Sequence, residues 1–216
     1  MARESLDAKR ARAVRIIREL RRLYPKPRTV LTYRSKFELL IAVILSAQAT
    51  DSSVNAVTPR LFGRFPTQGS LASADLSELS AILKPVGLAN SKAKAIKETA
   101  RMIRDQFGGE VPSTVEDLML LRGVGRKTAL VVLGEGFGIA EGIAVDTHVN
   151  RVSQRLGFTR YQDPVRVERD LVGIIQRKDW IATNHLLIFH GRATCKARVP
   201  LCSTCIVNTL CPSAKE

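Results

Sequence analysis

Apolar residues recur along this chain at helical spacing rather than in alternation. Ala13, Ile17, Leu20 and Tyr24 form one stripe, while Arg12, Arg15, Arg18, Arg21 and Arg22 occupy the remaining surface. Those arginines fit either a solvated face or direct contact with an anion. Pro25 and Pro27 end the segment and form a joint. A second apolar helix is predicted from Lys36 to Gln48, with Asp51 or Ser52 placed to cap the next. Leu71 to Leu83 again has helical spacing, and Pro85-Val86-Gly87 punctuates it. Ser91 is placed to start a basic helix holding Lys92, Lys94 and Lys97, Gly108-Gly109 forms a turn, and Ser113 and Glu116 have capping-box spacing ahead of a short apolar helix. No long alternating strand, solenoid repeat or low-complexity segment interrupts the pattern, so the predicted class is all-α.

Composition adds a partner to this picture. The 216 residues suffice for one large domain or two small ones with a real core. Lys and Arg number 34 against 20 Asp and Glu, a net charge of +14, and 45% of residues are hydrophobic. Such a chain folds and seeks a polyanion, with nucleic acid ahead of an anionic membrane surface. Leu39 to Leu45 is the longest unbroken apolar run, too short to span a bilayer. The opening Met-Ala-Arg-Glu-Ser-Leu-Asp has no apolar signal core. The expectation is a cytoplasmic protein, nucleoid-associated in a prokaryote, with no membrane partner.

Three motifs carry candidate chemistry. The first is Leu121-Arg122-Gly123-Val124-Gly125-Arg126-Lys127-Thr128-Ala129. Gly123 and Gly125 permit a tight turn with close backbone approach, and Val124 between them can pack inward. The helix that follows would present free backbone N–H groups to a phosphate, and Arg126 would add charge. No preceding strand and no G-x-x-x-x-G-K-[ST] pattern supports a nucleotide-binding loop. A plain helix–helix turn is the other reading, and the basic residues around the glycines weigh against it. The second motif pairs Lys127 with Asp146. A lysine in the first turn of a helix, beside Arg126, is disfavoured in its charged form, which suits a nucleophilic amine. Phosphate contact is its simpler role. Asp146, in Val145-Asp146-Thr147-His148, is placed either to cap a helix beginning at Asp146 or Thr147, or to assist an amine and stabilise a cation. His148 reads as a structural histidine.

The third motif is Cys195, Cys202, Cys205 and Cys211, spaced C-x6-C-x2-C-x5-C. Four cysteines crowded at one end of a chain suggest a metal or cluster rather than a disulfide framework. The wide first gap and the lack of a second C-x2-C argue against an ordinary zinc ribbon, yet the spacing alone leaves Zn²⁺ and an iron–sulfur cluster both open. Lys196 and Arg198, between the first two cysteines, are placed either in a solvated loop or against a phosphate backbone.

Together these features resemble the endonuclease III family of DNA repair glycosylase/AP lyases, within the helix–hairpin–helix superfamily. The likeness spans nearly the whole chain, including Leu45-Ser46-Ala47-Gln48-Ala49-Thr50-Asp51 and His190-Gly191-Arg192. It implies a continuous six-helix domain over 29–140 ending in the hairpin. Residues 1–28 with 141–216 would form a discontinuous second domain that carries a [4Fe–4S] cluster on the four cysteines, with a DNA cleft between the two. It further implies Lys127 as nucleophile, Asp146 as its partner, Gln48 filling the space of an extruded base and Leu88 wedging into the duplex. For Leu88 the simpler alternative is core packing. The implied partner is duplex DNA with a damaged pyrimidine or an abasic site, bound by a monomer. One departure is Arg122, where the family usually has proline; this loses preorganisation and offers a phosphate contact instead. The competing expectations are a monofunctional mismatch glycosylase, whose relatives lack a lysine at this position, a non-catalytic iron–sulfur DNA-binding protein, and a zinc module.

Overall fold

The structure, a computed structural model, describes residues 4–214, and among these every regular element is helical. The chain divides into two compact units, Val30–Ile139 and the pair Met1–Thr29 with Ala140–Glu216.

The continuous unit is organised around α2, Lys36–Leu45, of which Phe37 and Leu39 to Leu45 are buried. A helix apolar on every side must sit inside its unit. Here α2 touches α3 (Asp51–Arg64), α6 (Ala89–Gln106) and α8 (Arg126–Val132). Helices α4 (Gln68–Ser73) and α5 (Leu76–Leu83) lie on α6, and α7 (Val115–Leu120) packs on α8. That makes seven α-helices among the described residues, against the six implied by resemblance, because Leu71–Leu83 is not one helix. It breaks at Ala74, where the Asp75 carboxylate caps a new start by accepting from the Ser77 and Glu78 amides.

Other boundaries move for equally local reasons. Helix α2 stops at Leu45, three residues short of Gln48, and Ser46 Oγ turns back to the Val43 carbonyl at 2.8 Å. The cap of α3 is Thr50, not Asp51 or Ser52; its hydroxyl accepts from Ser53 N at 3.1 Å. Asp51 then lies in the first turn, where a negative charge is favoured. Thr114, not Ser113, caps α7. Helix α6 begins at Ala89, ahead of Ser91, since Leu88 takes a left-handed conformation and its carbonyl accepts from Lys92 N at 3.0 Å.

The discontinuous unit contains α1 (Leu6–Leu23), α9 (Thr147–Arg155), α10 (Pro164–Ile174), α11 (Trp180–Ala193) and the cysteine segment after it. Ile16, Ile17 and Leu20 of α1 share one core with Val149, Val152, Phe158, Leu171, Leu186 and Val207. One arginine of α1, Arg12, is committed inside the protein, while Arg15, Arg18, Arg21 and Arg22 are exposed. Arg12 Nη1 donates to the carbonyls of Leu156 at 2.6 Å and Leu210 at 3.2 Å, while its Nε and Nη2 bind the Glu4 carboxylate, both at 2.8 Å. Arg21 pairs with Asp179 at 2.6 Å and Arg22 with Glu19 at 3.1 Å. The anion-contact reading of this helix therefore loses Arg12 and keeps its exposed arginines.

Arg12 joins the two ends of the unit. Arg12→Met keeps the apolar stem and strands both carbonyls, which should cost about 2–3 kcal/mol in urea unfolding. Glu4→Gln, near the surface, should cost less than about 1 kcal/mol in the same measurement.

Candidate active site and metal centre

The hairpin lies between α7 and α8. Val124 N donates to the Leu121 carbonyl at 3.1 Å, closing a tight turn, and Val124 is buried at 7% exposure. Gly123 has φ +82, and a Cβ there would stand 3.3 Å from Ile44 Cγ2 on α2 and 3.5 Å from Ala95 Cβ on α6. The glycine is required by conformation and by close approach together. Gly125 is the N-cap of α8 in extended backbone, with no side-chain cap, so the first amides of α8 have no capping acceptor. Arg126 and Lys127 are its first two residues, and both are exposed.

Arg122 is exposed and pairs with a neighbouring helix. Its Nη1 donates to Glu98 Oε2 on α6 at 2.5 Å, and its carbonyl accepts from Thr99 Oγ1 at 2.9 Å. The hairpin is thus tied to α6 by side chain and main chain. Where proline would stiffen the turn through its ring, this chain uses an ion pair.

Gln48 and Leu88 share a distinctive property. They are the two non-glycine residues in left-handed backbone among the described residues, with φ +53 and +48. Both are exposed, Leu88 to 61%, which excludes core packing for it. Left-handed backbone is costly for residues with a Cβ and persists where the surroundings impose it.

In the other unit, Asp146 is the N-cap of α9, and its Oδ1 accepts from Val149 N at 2.7 Å. Its second oxygen makes no hydrogen bond among the described residues, and the side chain is half-buried. The capping role is therefore real and leaves one oxygen for other work. His148 Nδ1 lies 3.2 Å from Arg151 Nη2.

The four cysteines are free thiols, all half-buried, and all border one cavity of about 350 Å³. Burial raises the Cys205 and Cys211 thiol pKa values, and the neighbouring sulfurs raise them further. Two such groups resist ionising together unless positive charge sits among them. Among the described residues no three His, Cys, Asp or Glu side chains gather as a single metal ion would need. Beside the cavity, His190 Nε2 is 3.6 Å from Cys205 Sγ. Burial lowers the His190 pKa to about 4, so the ring is neutral at pH 7.

Sequence reasoning missed what holds this loop in place. Arg151 and Arg155, one turn apart on α9, face it. Arg151 donates to the carbonyls of Gly191 and Cys195 at 2.9 and 3.1 Å. Arg155 donates to those of Lys196 and Ala197, both at 2.7 Å, and lies 3.4 Å from Cys195 Sγ. A four-residue arginine spacing on a helix was the available signal. The side chains of Lys196 and Arg198 are exposed. Gly191 permits the close approach of α11 to α9, since a Cβ there would meet Arg151, Val152 and His148 at 3.1–3.2 Å. No helix among the described residues is long and apolar enough to cross a membrane.

Comparison with known proteins agrees with these features. Residues 41–177 match the model of the HhH-GPD superfamily base excision DNA repair proteins. Endonuclease III of Synechocystis is 48% identical over 97% of this chain and 96% of its own length. The Escherichia coli K12 enzyme is 43% identical over 94% and 95%. A trapped covalent endonuclease III–DNA intermediate superposes with a TM-score of 0.89 at 43% identity, covering 95% of this chain and 96% of that one. A thermostable thymine-DNA glycosylase, 23% identical with a TM-score of 0.82, shares the fold. Hairpin, fold and near-full-length similarity converge: the chain belongs to the endonuclease III family, within the HhH-GPD superfamily of base excision DNA repair proteins.

Proposed function

We propose that the chain is a bifunctional DNA N-glycosylase and AP lyase that removes oxidised pyrimidines from duplex DNA, with Lys127 as nucleophile. The observation that carries this reading is Lys127 itself, an exposed amine in the first turn of α8, directly behind the uncapped hairpin. A monofunctional glycosylase has no use for a lysine there. The similarity to endonuclease III trapped covalently on DNA supports the same chemistry.

A base inside a duplex is out of reach, so it must be turned out of the stack, and ring-saturated pyrimidines stack weakly enough to leave most easily. The amides at Gly125, Arg126 and Lys127 hold a phosphate of the damaged strand through the positive end of α8. Leu88 enters the duplex and Gln48 fills the place of the extruded base. The neutral amine of Lys127 attacks C1′ of the sugar, the C1′–N bond breaks, and the departing base takes a proton. Asp146 accepts the proton released by the amine and, as a carboxylate, stabilises positive charge developing on the sugar. The ring C1′–O4′ bond then opens, O4′ leaving with a proton, and the imine so formed between Lys127 and C1′ acidifies the C2′ hydrogen. Loss of that proton expels the 3′ phosphate, and water releases the enzyme from the cleaved strand.

Cys195, Cys202, Cys205 and Cys211 would hold a [4Fe–4S] cluster. The donor set fits. Four thiols around a cavity of about 350 Å³ leave room for a polynuclear group, and the raised pKa values of Cys205 and Cys211 call for the positive charge that iron would supply. The cluster gives structural support when bound. The loop's own contribution is to present Lys196 and Arg198 to the DNA backbone.

Borohydride trapping on duplexes carrying thymine glycol or an abasic site should give a covalent protein–DNA band on both. Lys127→Ala should abolish both bands while the purified variant stays brown. Trapping on the abasic site alone would keep the lyase and move the base specificity, and no trapping by a brown, folded wild type would favour the monofunctional reading.

Asp146 separates cap from catalyst. Asp146→Asn retains an acceptor for Val149 N, so thermal unfolding should barely change while single-turnover excision slows by about 100-fold or more. Asp146→Ala should lose the same rate and about 1 kcal/mol of stability besides.

Binding to duplex DNA should weaken steeply with salt through counterion release. A flat log–log plot of affinity against salt would remove the phosphate contacts assigned to the hairpin and the cysteine loop.

A further inference from the structure

Lys92 lies in the first turn of α6 and is buried, with 5% exposure. Both facts work against a cation, since burial strips its hydration and the start of a helix repels positive charge. Burial accordingly holds its pKa below the ordinary lysine value. Its ammonium makes one hydrogen bond among the described residues, to the Val86 carbonyl at 2.8 Å. Its backbone N–H donates to the Leu88 carbonyl at 3.0 Å. One residue thus grips the turn at two points, on either side of Gly87.

What the turn does with that grip is present Leu88. Gly87 adopts φ 68 and ψ 164, and Leu88 follows at φ 48 and ψ 33. No side chain caps α6. A left-handed leucine, an apolar side chain standing in water and a buried ammonium each oppose local stability, and all occur within six residues. Strain gathered in this way marks a place where geometry serves function.

We propose that Lys92 is a positioning residue: by fastening the Val86–Leu88 turn from within, it holds Leu88 rigidly projected, so that opening of the base pair depends on an ammonium that solvent does not reach. The proposal rests on the reading of Leu88 as the wedge. Lys92 has no part in the covalent chemistry at Lys127.

The test compares substrates that need opening with substrates that do not. Single-turnover excision of thymine glycol is measured on a fully paired duplex and on a duplex whose lesion faces a missing base. Trapping at an abasic site is measured alongside. Lys92→Met fills the same volume without the donor. Gly87→Ala disturbs the turn and leaves Lys92 in place, since the glycine's φ is strained for alanine while its Cβ would meet nothing within 4 Å. Leu88→Ala, Lys92→Met and Gly87→Ala should each slow the paired substrate about tenfold. For Lys92→Met and Gly87→Ala the unpaired lesion and abasic-site trapping should stay within about twofold of wild type, and Leu88→Ala with Lys92→Met combined should be no slower on the paired duplex than the worse single variant. Equal slowing of all three substrates by both Lys92→Met and Gly87→Ala would make the turn merely structural and overturn the proposal. So would full activity of Lys92→Met on the paired duplex while Leu88→Ala is slow. Full activity of Leu88→Ala there would instead remove the wedge reading itself.

Discussion

The cysteine segment depends on two guanidinium groups. Between Thr194 and Val207 it has no regular helix, and of its residues only Val207 is fully buried in the core. Its shape comes from carbonyl oxygens of Cys195, Lys196 and Ala197, turned toward Arg151 and Arg155. Charged donors to main-chain acceptors are stronger than neutral ones and fix direction as well as distance. The helix that supplies them is capped by Asp146 and spans nine residues, about 13 Å. The acid and the loop that carries the thiols are therefore mounted on one short rigid rod. A chain with too few apolar residues in this region to build a core builds a polar frame in its place.

The continuous unit solves a different problem. Its centre is a helix without a polar face, and the elements proposed to meet DNA are turns at the surface: the hairpin, the bend at Gln48 and the turn at Leu88. Each turn is unfavourable when considered alone. The hairpin is backed by Ile44 and Ala95 beneath Gly123, with the Arg122–Glu98 pair beside it, and the Leu88 turn by Lys92. Rigidity behind the turns is what lets exposed side chains hold positions that solvent alone would not favour.

The helical class, the hairpin, the candidate lysine and the cysteine spacing were legible because each is written in adjacent residues. Periodicity reports a helix face, and Gly-Val-Gly reports a turn, without knowledge of what lies across from them. The misplaced boundaries share one cause. At Thr50 and Thr114 a neighbouring polar residue could cap equally well, and tertiary packing decided between them. Leu88 as a helix start was illegible, since a leucine in left-handed backbone follows no local preference. Arg12 and Lys92 are inward although charge predicts exposure, and the partner of the exposed Arg122 was equally illegible. Their partners, the carbonyls of Leu156 and Leu210, the Glu98 carboxylate and the Val86 carbonyl, are set by the fold.

The bond from Arg12 to the Leu210 carbonyl spans 198 positions of sequence. The unit it closes is built from both ends of the chain, and the continuous unit lies wholly between them. On the ribosome, residues 30–139 are all available before the second half of their neighbour has been made. Helix α1 emerges first yet must wait for the last residues before its apolar stripe has a home. The order of synthesis thus lets the continuous unit complete its contacts first, while closing the discontinuous one costs loop-closure entropy. For that interval α1 is a basic amphipathic helix without its partners. Its arginines then serve as a solubilising coat before they become the ties that Arg12 and Arg21 make in the finished protein.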